Sequence, residues 1–156
     1  MILLSLTAYA NPIYYGEQES GFPTVVALGA GSGAVTACTG NLITPRIVLT
    51  AAHCGADLPL EFVVAYGEAY FGEIASSFDT AIGLDDAVIH PDYVPLENGV
   101  GGVGGTLGEY DVSVLILSEE APVQPSRVRL EPLTAEVEGT TLTSVGFGVT
   151  ETGSSG

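Results

Sequence analysis

An all-β fold is the architecture this sequence predicts, and three observations carry it. Glycine (21) and proline (9) punctuate the chain so often that its apolar runs stay short, the pattern of strands joined by turns. Hydrophobic residues make up 46 % and charged residues 14 %, so one domain with a real core is within reach of 156 residues. No helix of ordinary length is credible anywhere along the chain.

Taken in order, the first segment is Met1–Ala10, apolar and ending in a small-x-small pattern. It reads either as a clipped signal peptide cleaved after Ala10 or as an apolar N-terminal strand. Residues 1–12 are accordingly set apart as a leader remnant or propeptide, and 13–156 as the folded domain. Pro23–Leu28, Val35–Ile43 and Arg46–Thr50 are three successive apolar runs bounded by Gly, Pro or polar residues, each a predicted strand. Thr44-Pro45 is the turn between the second and third, and Ala51–Cys54 forms one helical turn before Gly55, leaving His53 just past a strand end. Further strands are predicted at Glu61–Tyr66, Asp86–His90, Val112–Leu117 and Thr141–Phe147. The run Val112–Leu117 is apolar at every position except Ser113, which predicts a strand buried on both faces. Asn98–Gly108 is a glycine-rich, low-complexity stretch with too much backbone freedom for regular structure, and Thr152–Gly156 is a small, polar tail. No internal repeat is present.

The charge excludes some function classes. There are 19 acidic residues against three basic ones, Arg46, Arg127 and Arg129, for a formal charge of −16. Phosphate backbones and anionic membrane surfaces would be repelled, so neither a nucleic acid nor a membrane is an expected partner. The charge is otherwise a solubility feature. Glycines and polar residues also break every apolar run before it is long enough to span a bilayer. The two cysteines, Cys38 and Cys54, both lie in apolar surroundings. If they pair, the closed loop would restrict the unfolded chain by about 3 kcal/mol and point to an oxidising compartment; otherwise they are two buried thiols.

Chemistry concentrates around two residues. Hydrolysis by a serine hydroxyl needs an imidazole to take its proton and a buried carboxylate to hold that imidazole in the right tautomer. His53 lies in Leu49-Thr50-Ala51-Ala52-His53-Cys54, with Cys38-Thr39-Gly40-Asn41-Leu42-Ile43 upstream. Together these resemble the histidine region of chymotrypsin/trypsin-like serine proteases at every element: cysteine, small residue, glycine, apolar pair, then a strand ending in Leu-Thr-Ala-Ala-His-Cys. Asp111, at the head of Val112–Leu117, resembles the family's aspartate before an Ile-Ala-Leu-Leu-x-Leu strand, with Ser113 in place of alanine. Val145-Gly146-Phe147-Gly148 is similar to the Gly-Trp-Gly segment that opens the family's second barrel, and Ile13–Gly16 is a loose match to its mature terminus, preceded by Pro12 rather than a basic residue.

The resemblance covers most of the chain and implies a chymotrypsin-like Greek-key β-barrel, the first barrel plus the opening strands of the second. It implies His53 as general base, Asp111 as the residue that orients it, a Cys38–Cys54 disulfide pinning the turn that carries the base, and protein or peptide substrates. Secretion, to the extracellular space or periplasm, is expected, and no cofactor or metal. His90-Pro91-Asp92-Tyr93 resembles a structural turn of the family, so His90 is given no chemistry; a metal site from His53, His90 and nearby acids lacks tight ligand spacing. The family's Gly-Asp-Ser-Gly-Gly nucleophile segment does not occur in these residues, and Ser154-Ser155-Gly156 lacks its flanking glycine and aspartate. The expectation is therefore a partial peptidase domain, inactive alone, with its C-terminal barrel and nucleophile missing. A first barrel without that partner is expected to expose an apolar face and to dimerise or lose solubility. The other reading is a non-catalytic binding module derived from the same fold.

Overall fold

The computed structural model describes residues 19–30, 36–55, 59–72, 78–95, 108–134, 137 and 139–147. The expected leader at Met1–Ala10, the Ile13–Gly16 terminus, the glycine-rich residues 98–107 and the Thr152–Gly156 tail lie outside them. The elements are β1 (Val25–Ala30), β2 (Thr36–Thr44), β3 (Ile47–Thr50), a 3₁₀ turn (Ala52–Cys54), α1 (Leu60–Tyr66), β4 (Gly67–Phe71), β5 (Thr80–Ile89), β6 (Val94–Pro95), β7 (Gly108–Glu109) and β8 (Ser113–Leu117).

Six of the strands close a barrel in the order β1-β2-β3-β8-β5-β4, with every pair antiparallel. The chain leaves β3, crosses the barrel end to lay β4 beside β1, and returns through β8 to fill the gap between β3 and β5. Closure leaves no unpaired edge, which is how an all-β unit of this size protects its ladders. Inward-facing side chains alternate along the strands and meet in one core of Val26, Leu28, Leu42, Val48, Phe71, Ile82, Leu84, Leu115 and Leu117, with Ala69 and Ala87 filling the narrow places. In β8 the inner positions Ser113, Leu115 and Leu117 are buried while Val114 and Ile116 are half-buried, so only one face is fully enclosed. Gly40 is required by this packing, because a Cβ there would run into Val48 Cγ1.

Several elements differ from the sequence expectation. Glu61–Tyr66, expected as a strand, lies within the seven-residue helix α1, and the strand starts only at Gly67. A helix this short is marginal in isolation, so packing decides the matter over the β preference of Val63-Val64. Both valines lie half-buried against the barrel core, and Phe62 and Tyr66, one turn apart, bring their rings to 4.7 Å. Pro59 O accepts the first helical bonds from Phe62 and Val63 N–H at 2.8 and 3.1 Å. Gly67 ends the helix where a side chain would collide with the Val63 carbonyl oxygen.

The strand expected at Asp86–His90 is longer, Thr80–Ile89, and its register shifts between Leu84 and Asp86. Two adjacent aspartates hide a strand from propensity reasoning, yet the bulge lets both carboxylates face solvent. Asp85 then meets Arg46 Nη2 at 2.6 Å, while Arg46 Nε and Nη2 also donate to Leu117 O at 2.9 and 2.6 Å. The two-residue pair β6–β7, which flanks the glycine-rich segment, was not anticipated.

Thr141–Phe147, expected as a strand, joins no ladder among the described residues. Its links to the barrel are a hydrogen bond from Phe147 N–H to Thr39 Oγ1 at 2.9 Å and an edge-on contact of the Phe147 ring with Phe78. Before it, the chain follows the barrel wall through Ala121 N–H to Pro45 O at 2.8 Å and Ser126 N–H to Leu42 O at 3.0 Å. It then turns three leucines outward: Leu130, Leu133 and Leu142 are 88, 74 and 87 % exposed.

Candidate active site

One strand pair brings together the two residues that the sequence singles out. β3 runs toward Thr50 and β8 starts at Ser113, and these two residues face each other in the antiparallel register. The end of β3 and the beginning of β8 therefore share one end of the barrel. His53, three residues beyond Thr50, and Asp111, two before Ser113, meet there although 58 residues separate them.

Asp111 holds His53 with both oxygens. Oδ1 accepts the His53 backbone N–H at 2.8 Å, and Oδ2 lies 2.7 Å from Nδ1. Each bond has a separate consequence: the first fixes the backbone turn, and the second holds the ring at its Nδ1 edge. When the ring is neutral, a carboxylate can only accept, so Nδ1 carries the proton and Nε2 is left as a free acceptor. The side chains are 23 and 16 % exposed, enough shielding from water for the pair to keep one geometry.

The turn is tethered on its other sides too. Cys38 and Cys54 form a disulfide that ties it to β2. Ser113 Oγ donates to Ala51 O at 2.9 Å, and Thr50 Oγ1 donates to Thr39 O at 2.9 Å. These two are the buried polar side chains of the described residues, and both satisfy backbone carbonyls around the turn. Ser113 is thus a brace for the histidine turn and no candidate nucleophile, a role that its place in an apolar strand did not reveal.

Asp111 is itself set by an unusual backbone. Tyr110 has φ of 53°, the left-handed region, and among the described residues no other non-glycine has positive φ. For a bulky L-residue this conformation costs roughly 1–2 kcal/mol. Val112 N–H donates to Tyr110 O at 2.7 Å, which closes a tight turn with Asp111 at its apex. His90 is close by without touching the pair: its ring stacks on Tyr110 at 5.1 Å and its Nδ1 accepts from Asp92 N–H at 3.2 Å.

Among the described residues the group with metal-ligand spacing is Cys38, His53 and Cys54, whose ligand atoms lie within 4.8 Å, but the two sulfurs are bonded to each other. A largely apolar cavity of about 350 Å³ opens between α1 and the barrel, lined in part by Leu28, Leu60, Val63 and Leu84; neither His53 nor Asp111 lines it. No helix of the described residues is long and apolar enough to cross a membrane.

The sequence is similar to those of known proteins. Phenoloxidase-activating factor 1 of Holotrichia diomphalia is 31 % identical over 137 residues, which cover 75 % of this chain and 35 % of that protein. Venom serine protease Bi-VSP of Bombus ignitus is 36 % identical over 89 residues, 54 % of this chain and 21 % of that one. Among solved structures, kallikrein-related peptidase 10 in complex with Zn2+ shares the fold at a TM-score of 0.50 and 21 % identity, over 72 % of this chain and 45 % of that chain. The chain spans about a third or less of the length of the two curated relatives and under half of the solved one. The family model described as Trypsin matches residues 15–155, a span that takes in the whole barrel, and the chain belongs to that family.

Proposed function

We propose that this chain supplies the base half of a secreted serine-type endopeptidase, with His53 as the general base and Asp111 as the carboxylate that orients it. The observation that carries the reading is the two-handed hold of Asp111 on His53, Oδ1 on the backbone N–H and Oδ2 on Nδ1. A free Nε2 beside a fixed ring can take the proton of a serine hydroxyl as the oxygen attacks a peptide carbonyl, and return it to the leaving amine. Asp111 then stabilises the imidazolium that forms between those steps. Residues 13–156 are read as the corresponding part of the peptidase domain, in line with the family match over 15–155. The disulfide favours an oxidising, extracellular or periplasmic site of action.

The serine itself is assigned to a Gly-Asp-Ser-Gly-Gly segment that these 156 residues do not contain. We place it on a second barrel that packs against the stretch bearing Leu130, Leu133 and Leu142. The alternative reading is a non-catalytic binding module derived from the same fold, which would have no such serine.

The coding region beyond Gly156 separates the two. An in-frame Gly-Asp-Ser-Gly-Gly segment, with fluorophosphonate labelling of its serine in the full-length protein that His53→Ala abolishes, is the expected result. A stop codon directly after Gly156, or labelling unchanged in His53→Ala, would overturn the protease reading.

A further inference from the structure

We propose that Tyr110 and His90 are positioning residues for Asp111: their ring stack holds the strained turn that aims the carboxylate at His53. The inference deepens the reading of His53 and Asp111 as a catalytic pair and rests on it for its significance, although its test does not.

Four observations converge on this. Tyr110 precedes Asp111 directly and takes a left-handed backbone, φ 53°, that its side chain disfavours. Such a conformation persists only where surrounding contacts over-determine it. The contact is the His90 ring, 5.1 Å away and within 10° of parallel, the offset-stacked arrangement that favours aromatic pairs.

His90 is itself a fixed plate. Its backbone N–H donates to Val112 O at 3.1 Å, its carbonyl accepts Tyr93 N–H at 3.0 Å, and its Nδ1 accepts Asp92 N–H at 3.2 Å. The backbone N–H is therefore tied to the residue after Asp111, and the ring and carbonyl to the turn Pro91–Tyr93 that follows His90. Finally, the turn is tight: Val112 N–H reaches back to Tyr110 O at 2.7 Å around Asp111. A rotation of Tyr110 toward ordinary φ would swing the carboxylate at the apex, and with it the two bonds to His53. A glycine or asparagine would take this backbone without strain, so a tyrosine there is explained by what its ring does.

The readout is the His53 Nδ1 proton, whose NMR resonance and exchange with water report the bond to Asp111 and require no turnover. In the full-length protein, His90→Ala should speed that exchange about fivefold, the loss expected for a ring stack of ordinary strength. His90→Phe keeps a flat ring and should leave it near the parent value. Tyr110→Asn, which accepts the left-handed backbone but has no ring, should fall between Tyr110→Phe, near parent, and Tyr110→Ala, the most exposed to exchange. Backbone amide spectra of the barrel strands check that each variant is folded; should His90→Ala not fold, the Tyr110 series decides. Exchange unchanged in folded His90→Ala, or a His90→Phe variant as fast as His90→Ala, would overturn the proposal, the latter by showing that the imidazole's bond to Asp92 matters rather than the stack. Loss of the catalytic reading alone would leave these exchange rates as they are, so the two failures are distinguishable.

Discussion

The two oxygens of Asp111 do different work, and substitutions can separate them. In Asp111→Ala the His53 backbone N–H loses its acceptor, at a cost of about 1–3 kcal/mol for a shielded donor left unmade. The pair is 23 and 16 % exposed, so water compensates only in part. In Asp111→Asn the amide oxygen still accepts that N–H, and replacing a charged acceptor by a neutral one costs about 1 kcal/mol. The amide nitrogen, however, now faces Nδ1 and can only donate. The ring must then carry its proton on Nε2, where a serine hydroxyl proton would have to be received, and kcat should fall by about 10⁴-fold. Urea denaturation of both variants and nitrogen-15 NMR of His53 measure the two effects, and kcat is read in a protein that carries the proposed serine. Asp111→Asn is expected to be nearly as stable as the parent, with the tautomer inverted and activity lost. If it is as unstable as Asp111→Ala, or keeps kcat within about tenfold of the parent, the division of labour between Oδ1 and Oδ2 is wrong.

Other parts of the structure make equally definite claims. Replacing both Cys38 and Cys54 by serine opens a loop of sequence separation 16 and should cost about 3 kcal/mol in urea denaturation. Gly40→Ala forces a Cβ onto Val48 Cγ1, with Leu28 Cδ1 also only 3.2 Å from it, and should cost about 1–3 kcal/mol by the same measurement. Arg46 and Asp85 form an exposed ion pair, 42 and 57 % accessible, so Asp85→Ala should change stability by less than about 1 kcal/mol. Arg46→Ala should cost more than Asp85→Ala, because it also strips two donors from Leu117 O.

The barrel was legible in the sequence where local pattern and tertiary role agree. β1, β2, β3 and β8 are apolar runs bounded by turn residues, and all four appear within two residues of their expected limits. β5 starts at Thr80, upstream of the expected Asp86–His90, and it runs through Asp85 and Asp86 because the bulge between Leu84 and Asp86 frees their carboxylates. Glu61–Tyr66 misled: a Val-Val pair has strand propensity, while its burial against the core is compatible with about two helical turns. Thr141–Phe147 has strand composition, and strand composition does not supply a ladder partner. At the site, the motifs named His53, Asp111, Cys38 and Cys54, and the structure brings the four together at one barrel end. The brace from Ser113 and the left-handed Tyr110 were not legible, since both depend on which atoms meet across the fold rather than on residue type.

The way the histidine turn is held has a consequence for how the site opens. The turn is tied to β2 by Cys38–Cys54, to β8 by Ser113 Oγ on Ala51 O, and to the tight turn that leads into β8 by Asp111 on His53 N–H. β2 and β8 flank β3, the strand from which the turn emerges, so the tethers run to both neighbours of that strand in the barrel wall. Displacing the backbone of the turn therefore requires breaking a covalent link and the bonds to Ser113 and Asp111, at the end of ladders that cover the core residues Val48, Leu115 and Leu117. The backbone of a turn held by loops alone moves by local fluctuation at small free energy, whereas that of a turn tied to central strands moves only at a free energy closer to that of global unfolding. The base is thus preorganised by the same packing that makes the barrel stable. Core substitutions far from His53 should loosen it in proportion to the stability they remove.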